Sequence, residues 1–106
     1  MLPGILAIVQ PTMGEPVYLR CYFPDNKTEV MITADEANSA VSVALPSTGY
    51  SGKMAAAFTA SEVRFQGTHV AYVRNRTDLT VIRTIRMINS SDSGKCAIEK
   101  APKRAF

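Results

Sequence analysis

Apolar and polar residues alternate through most of this chain, and turn-forming residues interrupt the alternation every eight to twelve positions. In "AVSVAL", Val41, Val43 and Leu45 alternate with Ala40, Ser42 and Ala44. That period sends one set of side chains to a core and the other to water, as half-buried strands require. The runs "VYLRCYF", "TEVMIT", "AVSVAL", "KMAAAF", "EVRF", "HVAYVR", "LTVIRTI" and "KCAIEK" are rich in β-branched and aromatic residues and read as about eight short strands. Residues 24–27, 35–39, 46–52, 66–68, 75–78 and 89–94 carry the Pro, Gly, Asn, Asp and Ser expected of the turns between them. The one helical competitor is a single turn near residues 34–37. Short sequential strands with tight turns predict an all-β antiparallel meander that removes its edges by closing as a β-barrel or sandwich.

A length of 106 residues suits one domain with one modest core. That domain is expected over residues 15–106 and ends in a short basic tail, "KAPKRAF". Residues 1–14 read differently. An apolar run from Leu2 to Val9 gives way to "QPTMGEP", like the end of a signal peptide followed by its cleavage zone, although no Lys or Arg precedes Arg20. The run is too short to span a bilayer as a helix. Two readings stay open for it, export with cleavage or an N-terminal arm packed on the domain, and export, to the periplasm or the extracellular space, is the expectation.

Cys21 and Cys96 have no CxxC spacing and no neighbouring His, so a metal site is not indicated. A disulfide between them, joining the outermost strands, is expected; two buried thiols in a reducing compartment are the alternative. Net charge is +3, with Lys and Arg spread along the chain, which favours acidic partners only weakly.

No residue pattern carries catalysis, and no metal or cofactor is implied. His69, the single histidine, falls in the alternating run "THVAYVR" and reads as a half-buried strand residue. Asp35 and Glu36 read as solvating a turn. Arg74, Arg76, Arg83 and Arg86 crowd around one expected hairpin, but Arg83 and Arg86 are three residues apart and no aromatic run offers a stacking platform, so solvated strand faces are expected rather than nucleic-acid binding. Asn26, Asn75 and Asn89 begin Asn-x-Ser/Thr triplets that turn chemistry explains without glycans.

The stretch "FTASEVRFQG" places a corner between two strands at residues 59–62. Thr59, Ala60, Ser61, Val63, Arg64 and Phe65 are identical or similar in kind to the Ser-Ala-Ser-Gly-Ala-Arg-Tyr motif of the periplasmic and membrane-bound inhibitors of c-type lysozyme, small bacterial eight-stranded barrels. The resemblance extends over residues 17–98, with "VYLRC" like the first strand and early cysteine, "DLTVIRT" like the strand after the second loop, and "GKC" like the late cysteine. Glu62 stands where the family has Gly, and "YVRNRTDL" lacks the family's Trp and Lys-Gly pair. The resemblance implies a non-enzymatic exported binding protein whose partner is a lysozyme. It implicates Thr59, Ser61 and Arg64 in a first loop that enters the enzyme's cleft, and Arg74 or Arg76 in a second. The competing class is a structural or interaction protein, such as a virion decoration or envelope accessory protein, in which the same stretch is a strand and its turn.

Overall fold

Five of the seven hairpin connections close on a residue in the left-handed region, Lys27 (φ 54°), Ser39 (φ 50°), Gly49 (φ 77°), Leu79 (φ 60°) and Asn89 (φ 51°), the exceptions being residues 59–61 and 67–69. A tight turn followed by one left-handed residue matches the twist of the strands it joins. The seven connections link β1 (Val17–Phe23), β2 (Thr28–Asp35), β3 (Ala40–Leu45), β4 (Tyr50–Phe58), β5 (Glu62–Gln66), β6 (Val70–Asn75), β7 (Thr80–Ile85) and β8 (Ser90–Glu99). All neighbours are antiparallel, and β8 returns to β1 to close a barrel in sequence order. This computed structural model describes residues 15–100; the apolar run at residues 2–9 and most of the basic tail lie outside the described residues. Helical structure among the described residues amounts to two 3-10 turns, Glu36–Asn38 and Arg86–Ile88, and no helix is long and apolar enough to cross a membrane.

The period-two reading holds through the core. Leu19, Cys21 and Phe23 of β1, Val30 and Ile32 of β2, Val41 and Val43 of β3, Val63 and Phe65 of β5, and Val81 of β7 all point inward and are buried. Cys21 lies directly opposite Cys96 in the β1–β8 ladder, and the two form a disulfide. The bridge therefore sits on the seam that closes the barrel.

Besides residues 50–52, which composition assigns to the preceding turn and which instead begin β4 opposite Val43 to Leu45, three expectations need correction. "NSSDSG" is not a turn: Ser90 to Gly94 form the first half of β8, in register with Val81 to Ile85, and the chain reverses earlier, at Arg86 to Asn89. Arg83 is not on a solvated face. It is 5 % exposed and turned into the barrel, where it meets Asp92. His69 precedes β6 in an exposed turn instead of lying half-buried in a strand. The first two errors share a cause. Polar β8 makes sense only beside β7, where Asp92 answers Arg83 and Ser91 Oγ lies 2.9 Å from Thr84 Oγ1.

Long strands β4 and β8 each serve two neighbours in turn. Residues 50–55 of β4 pair with β3 and residues 56–58 with β5, while residues 90–95 of β8 pair with β7 and residues 95–99 with β1. Both strands carry the triplet Ser-Gly-Lys, at residues 51–53 and 93–95, but the glycines meet different surroundings. A Cβ on Gly94 would lie 2.6 Å from the Tyr22 carbonyl oxygen and 3.0 Å from the Phe23 ring, whereas one on Gly52 would meet first the Tyr50 hydroxyl, at 2.5 Å. Backbone cannot yield, and a tyrosine ring can swing away. Gly94→Ala is therefore expected to cost about 1–3 kcal/mol and Gly52→Ala less than about 1 kcal/mol in urea unfolding; equal effects would contradict this packing.

Candidate functional site

In an up-and-down barrel alternate connections share an end, so the β2–β3, β4–β5 and β6–β7 loops lie together. The corner at residues 59–61 is braced first by its own side chains. Thr59 Oγ1 accepts from the Glu62 N–H at 3.1 Å and lies 3.1 Å from the Glu62 carbonyl oxygen, to which the Thr59 N–H also donates at 2.9 Å. A threonine hydroxyl held this way mimics a backbone turn.

Arg76, from the neighbouring loop, then fastens the corner. Its backbone N–H donates to the Ser61 carbonyl at 2.9 Å, and its guanidinium donates to the Thr59 carbonyl at 2.6 Å and to Glu36 at 2.9 Å. The guanidinium also stands 5.9 Å from the centre of the Phe58 ring. An ion pair this exposed contributes only about 0–1 kcal/mol. Its effect is on geometry, since three loops are tied through one planar donor. The Arg76 loop is itself set by side chains: Asn75 Oδ1 accepts from the N–H groups of Thr77 and Asp78 at 2.7 and 3.0 Å. Hydrogen bonds from the Thr80 hydroxyl, then from its N–H, hold the Asp78 carboxyl below the usual aspartate range.

The residues singled out from the sequence separate into three situations. Thr59, Ser61 and Arg76 meet at the barrel end, and Ser61 is exposed with no hydrogen bond to its hydroxyl among the described residues. Arg64 lies outside on β5, where its Nε donates to Glu62 at 2.6 Å. Arg74 faces the barrel interior, 6 % exposed, and its Nε has no partner. Burial, and secondarily Arg76, pulls the Arg74 pKa down from the ordinary arginine value.

Arg74, Arg76, Arg83 and Arg86 form no common basic face. Arg74 and Arg83 are buried, Arg76 is paired, and Arg86, at the opposite end, donates to the Gly67 and Thr68 carbonyls. Sequence reasoning missed Glu36, which it assigned to turn solvation. The partner that gives Glu36 a role is 40 residues away, and no local pattern marks it.

The assembled end presents a pinned turn with the Ser61 hydroxyl exposed at its tip and a neutralised arginine behind it; the Ser39 and Thr77 hydroxyls of the two neighbouring loops are exposed beside it. Such a surface can hydrogen-bond a protein partner; among the described residues no cluster of His, Cys, Asp or Glu is placed to hold a metal ion. Comparison with protein-family models, curated proteins and solved structures returns no match.

Proposed function

We propose that this chain is an exported, non-enzymatic binding protein that docks the 59–61 corner into the cleft of a partner protein, with a c-type lysozyme as the sharpest form of that partner. The observation that carries the reading is the fastening of the corner by Arg76, which leaves the Ser61 hydroxyl exposed. A turn already fixed loses little conformational entropy on docking, so more of each contact appears as affinity. A hydroxyl donates to a carboxylate without bringing an unpaired charge into the interface. The disulfide fits an oxidising, exported setting. The match in kind between residues 59–65 and the lysozyme-inhibitor motif adds the choice of partner.

Glu62 bears on this site differently than its charge alone indicates. Arg64 covers it at 2.6 Å, so the corner offers a partner's carboxylates less repulsion than a bare glutamate. The purified protein is expected to slow lysozyme-driven clearing of a cell-wall suspension. Ser61→Ala should weaken inhibition by about 1–3 kcal/mol, because a desolvated acceptor on the enzyme loses its donor. No inhibition by the unaltered protein at roughly tens of micromolar, a range weaker than most specific protein pairs, rules out the lysozyme form.

A further inference from the structure

The end of the barrel opposite the 59–61 corner is open. β4 starts at Tyr50, but β5 extends only to Gln66, so residues 50–55 of β4 pair with β3 alone and a mouth is left between β4 and β6. The mouth holds a cavity of about 240 Å³. Leu45, Tyr50, Met54, Val70 and Ile85 form its walls. Tyr72 and Arg83, 4 % and 5 % exposed, form its floor, and Tyr50, 50 % exposed, its rim.

The floor is polar but carries no net charge. Asp92 occupies Nε and Nη2 of Arg83, at 3.0 and 2.6 Å, and no hydrogen bond among the described residues uses Nη1. Burial raises the pKa of the Tyr72 phenol, and the Arg83 guanidinium beside it holds that rise back. No second charged side chain lines the cavity. An ion entering it would lose hydration and find no free counter-charge. A neutral acceptor loses far less and gains donors from Tyr72 and Arg83. The cavity is also smaller than the roughly 300–1,000 Å³ of drug-sized sites, which limits the guest to a fragment.

We propose that this mouth is a binding site for a small neutral amphiphile, an apolar chain or ring bearing one oxygen acceptor that rests on Tyr72 and Arg83 while the apolar part lies against Met54, Val70 and Ile85. The site is independent of the lysozyme reading, because it lies at the other end of the barrel and shares no residue with the corner.

Backbone amide NMR titration tests it with 1-octanol, octanoate and octylammonium as probes of one chain length and three charges. 1-Octanol should give saturable shifts centred on Met54, Val70, Tyr72 and Ile85, and both ions should bind at least tenfold more weakly. Tyr72→Phe keeps the stack on Phe65, whose ring centre is 4.9 Å away, and should weaken 1-octanol about fivefold by removing one donor. Val70→Trp, which fills the mouth from its rim, should abolish the saturable shifts. Shifts that grow linearly, or that centre on the exposed Met87 and Ile88 of the adjoining turn, overturn the site. Octanoate binding as tightly as 1-octanol, or an unchanged affinity in Tyr72→Phe, overturns its chemistry.

Discussion

Asp92→Ala is expected to destabilise the barrel by about 3–5 kcal/mol, the range for removing one partner of a buried ion pair. The side chains of Arg83 and Asp92 are 6 % and 13 % exposed, and they meet at 2.6 Å with a second bond at 3.0 Å. Alanine leaves the guanidinium inside with no anion. One feature tempers the loss: Arg83 stands 4.1 Å from the centre of the Phe23 ring. The lower end of the range, about 3 kcal/mol, is accordingly the expected value.

Burial, and not distance, makes this pair matter. Arg64 and Glu62 also meet at 2.6 Å, but with side chains 63 % and 31 % exposed, and Glu62→Gln should change stability by less than about 1 kcal/mol. Urea unfolding of both variants measures the contrast through the midpoint, with the slope checked for two-state behaviour. A double variant, Arg83→Met with Asp92→Ala, separates the pair's net contribution from the penalty of a stranded charge. It should be more stable than Asp92→Ala alone, since apolar replacements of buried pairs are often neutral. A loss below about 1 kcal/mol in Asp92→Ala would mean that Arg83 reaches water readily, and that the floor of the mouth is not the desolvated surface described above.

What the sequence disclosed about this molecule follows from how local each signal is. Alternation is local, so strands β1 to β3, the closed all-β meander and the inward-facing Val41 and Val43 could be read directly. The two cysteines lie in runs that read as the first and last strands, and closure of the barrel puts those strands side by side. Arg83 and Asp92 broke the reading because each looks like a surface residue until the other is beside it. Residues 90–94 have a turn's composition, yet at Gly94 the Tyr22 carbonyl and then the Phe23 ring fill the space a side chain would take. At the candidate site, Thr59, Ser61 and Arg76 were named from a motif, and alternation of connections accounts for their common end. Arg74 was named with them, but its side chain faces the core, a consequence of period two counted from Tyr72. The tie from Arg76 to Glu36 was not legible, since it depends on which loops the barrel brings together.

Reducing the Cys21–Cys96 bridge is expected to lower stability by about 4 kcal/mol, through the unfolded chain more than the folded one. The bridge closes a loop with a sequence separation of 75 residues, so it deprives the unfolded ensemble of much of its freedom. In the folded state the same residues already face each other within a five-pair ladder, from Tyr18↔Glu99 to Tyr22↔Lys95, that holds β1 to β8 without covalent help. The reduced protein should therefore keep a β-type circular dichroism spectrum in dilute buffer. Its urea midpoint should fall, with an increased slope as the unfolded chain expands. With total stabilities of small domains at about 5–15 kcal/mol, a loss of this size moves the protein close to its folding threshold. The oxidised barrel would then have a margin of stability that the reduced one lacks, which fits an oxidising compartment. Thiol titration under denaturing, non-reducing conditions should find no reactive thiol in protein taken from that compartment. Two reactive thiols there, or coincident unfolding curves for the oxidised and reduced forms, would remove both the stabilising role of the bridge and the support it gives to export.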